Sequence, residues 1–113
     1  MMIENIERSI LCSVLEYHII GTQSGIIDVD LNANLFTVPF HKKIVSGINR
    51  LKQLNEPIDT DTLRAKFIEA KKWNMQEDDE LLSIISHNPF GTLNMFNSYL
   101  SILNKNYKKR LTI

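Results

Sequence analysis

One cysteine, Cys12, stands in a chain of 113 residues. No internal disulfide can form, and a reducing, cytoplasmic compartment is the easier setting. Net charge is lacking as well: 13 lysines and arginines balance 13 aspartates and glutamates. That balance argues against a domain built mainly to hold nucleic-acid phosphates, and it gives no support for attraction to a membrane surface. No apolar run approaches the roughly 18 residues needed to cross a bilayer. Glu4 and Glu7 interrupt the first apolar residues, so the start does not read as a cleaved leader. The length fits one domain with a single core.

Signatures of chemistry are also missing. The sequence contains no GxxxxGK[ST] loop, GxGxxG turn, GxSxG elbow, HExxH pair or CxxC pair. His18, His41 and His87 lie far apart, and none has a second histidine or cysteine at ligand spacing. Asp28 and Asp30, or the run Glu77, Asp78, Asp79 and Glu80, offer carboxylates to a hard cation, but helix caps and solvated helix starts explain them better. Cys12 has no adjacent base to activate it and reads as a passive small residue. No catalytic, cofactor or metal site is assigned, and an enzyme acting alone is the weakest reading.

What is present is helical periodicity. In 39–54, Phe40, Ile44, Gly47, Ile48, Leu51 and Leu54 fall in one arc of about 120–140° on a helical wheel. Pro39 suits a first helical turn, where a missing N–H costs little. Asn55 can adopt the left-handed conformation that closes a helix, Pro57 cannot continue it, and Asp59 offers a cap for the next. His41, at the edge of the apolar arc, reads as a hydrogen-bonded packing residue.

Around this central helix the rest falls into place. Ile3, Ile6, Ile10, Val14 and Tyr17 predict a helix over 3–19, followed by a loop at 21–25 and short helical turns over 26–36. A helix is expected over 60–72, a connector at 73–76, a helix opening at 77 with Leu81, Leu82, Ile84 and Ile85 in its middle, a break at 88–91, and a long helix over 93–111. The fold class is therefore all-α: a compact multi-helix domain over 1–113, with a globular part at 1–72, ending in an antiparallel helical hairpin over 77–111. In the last helix Leu93, Phe96, Leu100, Leu103 and Tyr107 form one stripe, and Met95, Tyr99 and Ile102 form a second roughly 120° away. Either both stripes share one core, or the first faces the hairpin mate and the second faces another body such as a second subunit. The basic end, Lys105, Lys108, Lys109 and Arg110, fits the negative pole of a helix dipole better than it fits nucleic acid.

Several residues together resemble the N-terminal domain of DnaB-type replicative DNA helicases across nearly the whole chain. They are Asn5-Ile6-Glu7 with Ile10, Leu11, Val14 and Leu15; Leu31, Phe36, His41 and Ile44; Glu56-Pro57-Ile58-Asp59 with Thr62-Leu63; and Asn88-Pro89, Asn94, Tyr99 and Arg110-Leu111. The chain departs from the family at Asn55, where glycine is usual, at Cys12, and at Trp73-Asn74-Met75-Gln76, where a Gly-Gly segment is frequent. It resembles a divergent bacterial, phage or plasmid member.

The resemblance implies a non-catalytic domain of a hexameric, ATP-driven helicase. Such domains pair through their hairpins into a collar, as dimers or a trimer of dimers, and the collar recruits the C-terminal domain of primase. A helicase loader is a further implied partner. ATP and Mg are implied for a C-terminal domain outside this chain, with no cofactor in this one. Phe90, Met95, Tyr99 and Ile102 would then supply an intersubunit or primase contact, while Phe36, His41, Ile44, Pro57, Asp59 and Leu63 would be structural. Two alternatives remain: the helicase-interacting C-terminal domain of a primase, and a stand-alone helical adaptor or inhibitor of the helicase. The spacing from Leu31 to Asp59 favours the helicase side.

Overall fold

The structure is a computed structural model that describes residues 2–16, 31–87 and 93–112. Its elements are α1 (Ile3–Glu16), a 3-10 turn (Ala33–Leu35), α2 (Pro39–Gln53), α3 (Thr60–Glu69), α4 (Met75–Ile85) and α5 (Leu93–Leu111). No strand occurs among the described residues, and the all-α class holds. The expected end of the first helix at 17–19, the loop at 21–25, the turns at 26–30 and the break at 88–91 lie outside the described residues.

α1 is the hub. Ile6, Ile10, Leu11, Val14 and Leu15 are buried along it, and its burial wraps around most of the helix from Ile6 to Leu15. A helix buried nearly all round must have neighbours on several sides. α4 and α5 both take α1 as their principal neighbour, and α2 packs on it too. The stripe of α5 that reads as facing a hairpin mate instead enters the common core, with Phe96 and Leu103 fully buried. Leu81 and Ile84 of α4 join the same core as Phe36, Ile44 and Leu63, so the 1–72 and 77–111 parts share one hydrophobic interior.

Helix ends are closed by recognisable local chemistry. Past α2, Asn55 has φ 54°, the Glu56 N–H donates to Leu51 O at 3.0 Å and the Asn55 N–H to Lys52 O at 3.1 Å. This is a Schellman closure with asparagine in the left-handed position. Leu54 reads from the wheel as part of the buried arc, but it is the C-cap, turns off the helix and is 41% exposed. The Asp59 carboxylate accepts the Thr62 N–H at 2.7 Å and starts α3. α3 ends at Glu69, earlier than its charge pattern suggests. Lys71 and Lys72 lie beyond it in a second Schellman closure, with Lys71 at φ 58°.

α4 begins two residues before the acidic run. Asn74 Oδ1 accepts the Glu77 N–H at 2.9 Å while Glu77 Oε1 accepts the Asn74 N–H at 3.1 Å, a capping box. The expected connector at 73–76 is therefore partly helix. Packed on α1, the helix turns Leu81 and Ile84 inward and leaves Leu82 57% exposed. Gly47 sets the distance between α2 and α3. A Cβ there would stand 2.6 Å from Leu63 Cδ1 and 2.8 Å from the Phe67 ring.

Two substitutions test these points. Gly47→Val adds branched bulk against the fully buried Leu63. It should cost about 2–3 kcal/mol, seen as a clear fall in thermal midpoint. Lys71→Gly relieves a left-handed lysine and should raise stability by up to about 1 kcal/mol in urea unfolding.

Candidate functional site

Glu7 is the residue whose placement most needs explaining, since an isolated carboxylate in an apolar core would be costly. It is fully buried on α1, beneath the N-terminus of α2. The Thr37 N–H donates to Oε2 at 3.0 Å and the Thr37 hydroxyl at 2.6 Å, the Val38 N–H donates to Oε1 at 3.4 Å, and His41 Nδ1 lies 2.8 Å from Oε1. Val38, the N-cap of α2, makes no side-chain capping bond, and Pro39 follows at the first helical position. Glu7 therefore supplies from another helix the anion that the positive end of α2 favours. Burial pushes its carboxyl up, but the hydrogen bonds from His41, Thr37 and Val38 outweigh that effect and hold it below its ordinary value of 4.5.

His41 is 3% exposed and committed to this pair. Its packing role was readable from the sequence, but its partner, 34 residues away, was not. One signal did exist: Glu7 sits one turn from Ile3 and Leu11, inside the apolar face of α1, where an acid must find buried donors. Cys12 is also buried. Its thiol donates to His87 O at 3.2 Å and to Ile85 O at 3.6 Å, at the C-terminal end of α4. Burial, with the Glu16 charge adding to it, pushes the thiol up to about 11, so Cys12 is a structural donor and not a nucleophile. Among the described residues no group of three or more His, Cys, Asp or Glu side chains could hold a metal ion.

The other structural residues lie close to this clasp or beyond it. Phe36, Ile44 and Leu63 are fully buried, whereas Pro57 is exposed at the corner between α2 and α3. Of the four interface candidates, Phe90 lies outside the described residues. Met95 and Ile102 are 46% and 41% exposed on α5. Tyr99 is half-buried and packs against the edge of the core, so the second stripe is not uniformly outward. Leu111, at the far end of α5 and on the opposite side of the helix from Ile102, is 64% exposed. Arg110 does not project freely with the nearby lysines. It donates to the carbonyls of Asn34 and Leu35 at 3.2 Å each and ties the end of α5 to the 3-10 turn. No helix among the described residues is long and apolar enough to cross a membrane.

A family model described as the DnaB-like helicase N terminal domain matches residues 2–105. No curated protein and no solved structure matches the chain.

The Glu7 clasp makes a pH prediction. A carboxyl whose folded value is depressed adds stability above its unfolded value and loses it as pH falls through the folded one. Glu7→Gln keeps the shape and removes the charge. The stability gap between the native chain and Glu7→Gln in urea titrations should be widest above about pH 5 and should close toward more acidic pH. A gap of constant size across that range would show that the charge of Glu7 contributes nothing.

Proposed function

This chain belongs to the DnaB-like helicase N-terminal domain family, and on that premise we propose that it is the collar module of a hexameric replicative helicase. In this role it contributes no catalysis. It holds helicase subunits together and recruits the C-terminal domain of a primase during DNA replication, with a helicase loader as a further partner. ATP and Mg would be handled by a C-terminal domain outside this chain. The observation that carries the reading is the family match, which covers nearly all of the chain.

The surface chemistry supports a contact role for α5. Met95 and Ile102 sit two turns apart and are both more than two-fifths exposed. Covering what remains exposed of each would contribute about 1 kcal/mol. The polar sector beside them is carried by Asn94, Asn97, Ser98 and Ser101, which are exposed and uncharged. A surface of apolar side chains flanked by amides and hydroxyls is easier to desolvate than one flanked by charges. Tyr99, lodged against the core, gives that surface a fixed ring at its centre.

Light scattering after size exclusion tests this reading. The chain should run as a dimer or larger and gain mass with the C-terminal domain of the cognate primase. Met95→Asp combined with Ile102→Asp should reduce the mass to that of a monomer without loss of helix signal, because both side chains are more than two-fifths exposed and neither belongs to the buried core cluster. A monomer indifferent to primase would overturn the collar reading and favour the stand-alone adaptor.

A further inference from the structure

The α2–α3 pair carries a second surface, unrelated to the α5 face. Between the two helices runs a groove of about 560 Å³, floored by Leu51, Leu63 and Phe67 and edged by the exposed Leu54 and Ala70. A second hollow of about 670 Å³ continues it toward Trp73, and the two share Ser46, Phe67 and Lys72. The groove exists because Gly47 lets α3 lie close to α2 at one point while Leu54 turns away at the α2 end.

Its rim is strongly basic. Lys43, Arg50, Lys66, Lys71 and Lys72 line the two hollows, against only Glu69 and Glu77. Two of the cations are already paired: Lys43 with Glu77 at 2.6 Å and Lys66 with Glu56 at 2.8 Å. Arg50 donates only to the neutral Gln53, and the side chains of Lys71 and Lys72 meet no acid among the described residues. In a chain of zero net charge, three cations outside these ion pairs, set beside an apolar floor with Glu69 as the one acid of that lining outside such a pair, are a local excess of positive charge.

We propose that this groove docks an acidic, amphipathic helical segment of a partner protein, with its apolar side chains on Leu54, Phe67 and Ala70 and its carboxylates toward Arg50, Lys71 and Lys72. Charge complementarity identifies the occupant. The rings present argue for a peptide over a nucleic acid. Phe67 and Trp73 stack on each other at 5.4 Å, Phe40 lies against Trp73 at 5.9 Å, and Lys43 sits over both stacked rings. A nucleobase therefore finds no open aromatic platform.

Trp73 is the chain's one tryptophan and lines the second hollow, so its emission reports on the groove. The probe is a synthetic helix of roughly four turns, with leucines at i, i+3, i+4 and i+7 and glutamates elsewhere. It should shift Trp73 emission saturably, and its affinity should fall at least about tenfold between roughly 0.05 and 0.5 M salt. The same peptide with lysine for glutamate should not bind. Ser46→Glu, at an exposed position lining both hollows, should weaken binding about tenfold with unchanged circular dichroism. The Met95→Asp, Ile102→Asp chain should bind as the native one does, which separates this result from the fate of the collar reading.

Equal binding of the lysine peptide, indifference to Ser46→Glu, or no binding by emission and calorimetry would each overturn the proposal. Displacement of the peptide by a single-stranded oligothymidylate would assign the groove to nucleic acid instead. Loss of self-association in Ser46→Glu would assign it to a second copy of the chain.

Discussion

A buried carboxylate at the end of a helix sets the geometry of this domain. Glu7 lies in the middle of α1's apolar face, where an unpaired charge would be prohibitive, and it is satisfied only if Thr37, Val38 and His41 arrive together. Those three residues are the last of the approach to α2 and the first turn of α2 itself. The pair Glu7–His41 therefore fixes both where α2 begins and which way it faces relative to α1. Apolar packing alone would tolerate sliding between two helices by a fraction of a turn, because leucine and isoleucine accept many neighbours. Hydrogen bonds from two backbone N–H groups, a hydroxyl and an imidazole do not.

The remaining elements hang from these two helices. α4 and α5 rest on α1, and α3 with the 3-10 turn rests on α2. The corner between α3 and α4 is closed by a smaller polar network: Arg64 forks onto Asp78 at 2.6 and 3.0 Å, and the Trp73 indole N–H donates to the same carboxylate at 2.7 Å. The Arg64 hydrogen bond, then that of Trp73, holds the Asp78 carboxyl down to about 2. An exposed ion pair of this kind contributes little to stability by itself. Its effect is positional, for it seats the indole against Phe67 and Phe40, and Lys43 then bridges from α2 to Glu77 at the start of α4. The α2–α3 groove keeps its shape because both of its walls are tied at this end.

The parts of the fold that depend on neighbours in sequence were legible before the structure. The apolar arc of α2, the left-handed Asn55, the Asp59 cap and the span of α5 all follow from spacing and from which side chains can close a helix end. What escaped reading depends on competition or on distance. Asn74 and Glu77 have the spacing of a capping box, but the four consecutive acids from Glu77 attract the helix start to themselves; which of Leu81, Leu82, Ile84 and Ile85 face inward depends in turn on how α4 lies on α1, and Leu82 is left on the surface. Lys71 gives no local hint of a positive φ, since lysine seldom adopts it. The Glu7–His41 contact spans 34 positions and obeys no period. The interface candidates were legible only as a stripe. That Tyr99 leans into the core while Met95 and Ile102 face outward depends on how far α5 is rotated against α1, which spacing does not specify.

The titratable groups most altered by the fold also bear on function. Proton transfer and nucleophilic attack need a group with a shifted pKa that a substrate can reach. Glu7 is shifted and fully buried, and all of its donors come from one helix start. Cys12 is shifted in the direction that removes its reactivity and is 1% exposed. Asp78 is accessible, but its shift comes from Arg64 and Trp73, which occupy it. Each of these perturbations is thus accounted for by burial, a neighbouring charge or a structural bond, and among the described residues they leave no unexplained one to suggest chemistry. What the fold leaves available is surface of two unlike kinds: an apolar and amide face on α5, attached through α1, and a basic groove on α2 and α3. The clasp between α1 and α2 holds these in a fixed relation, so a contact made at one can orient what is bound at the other without any conformational change in between.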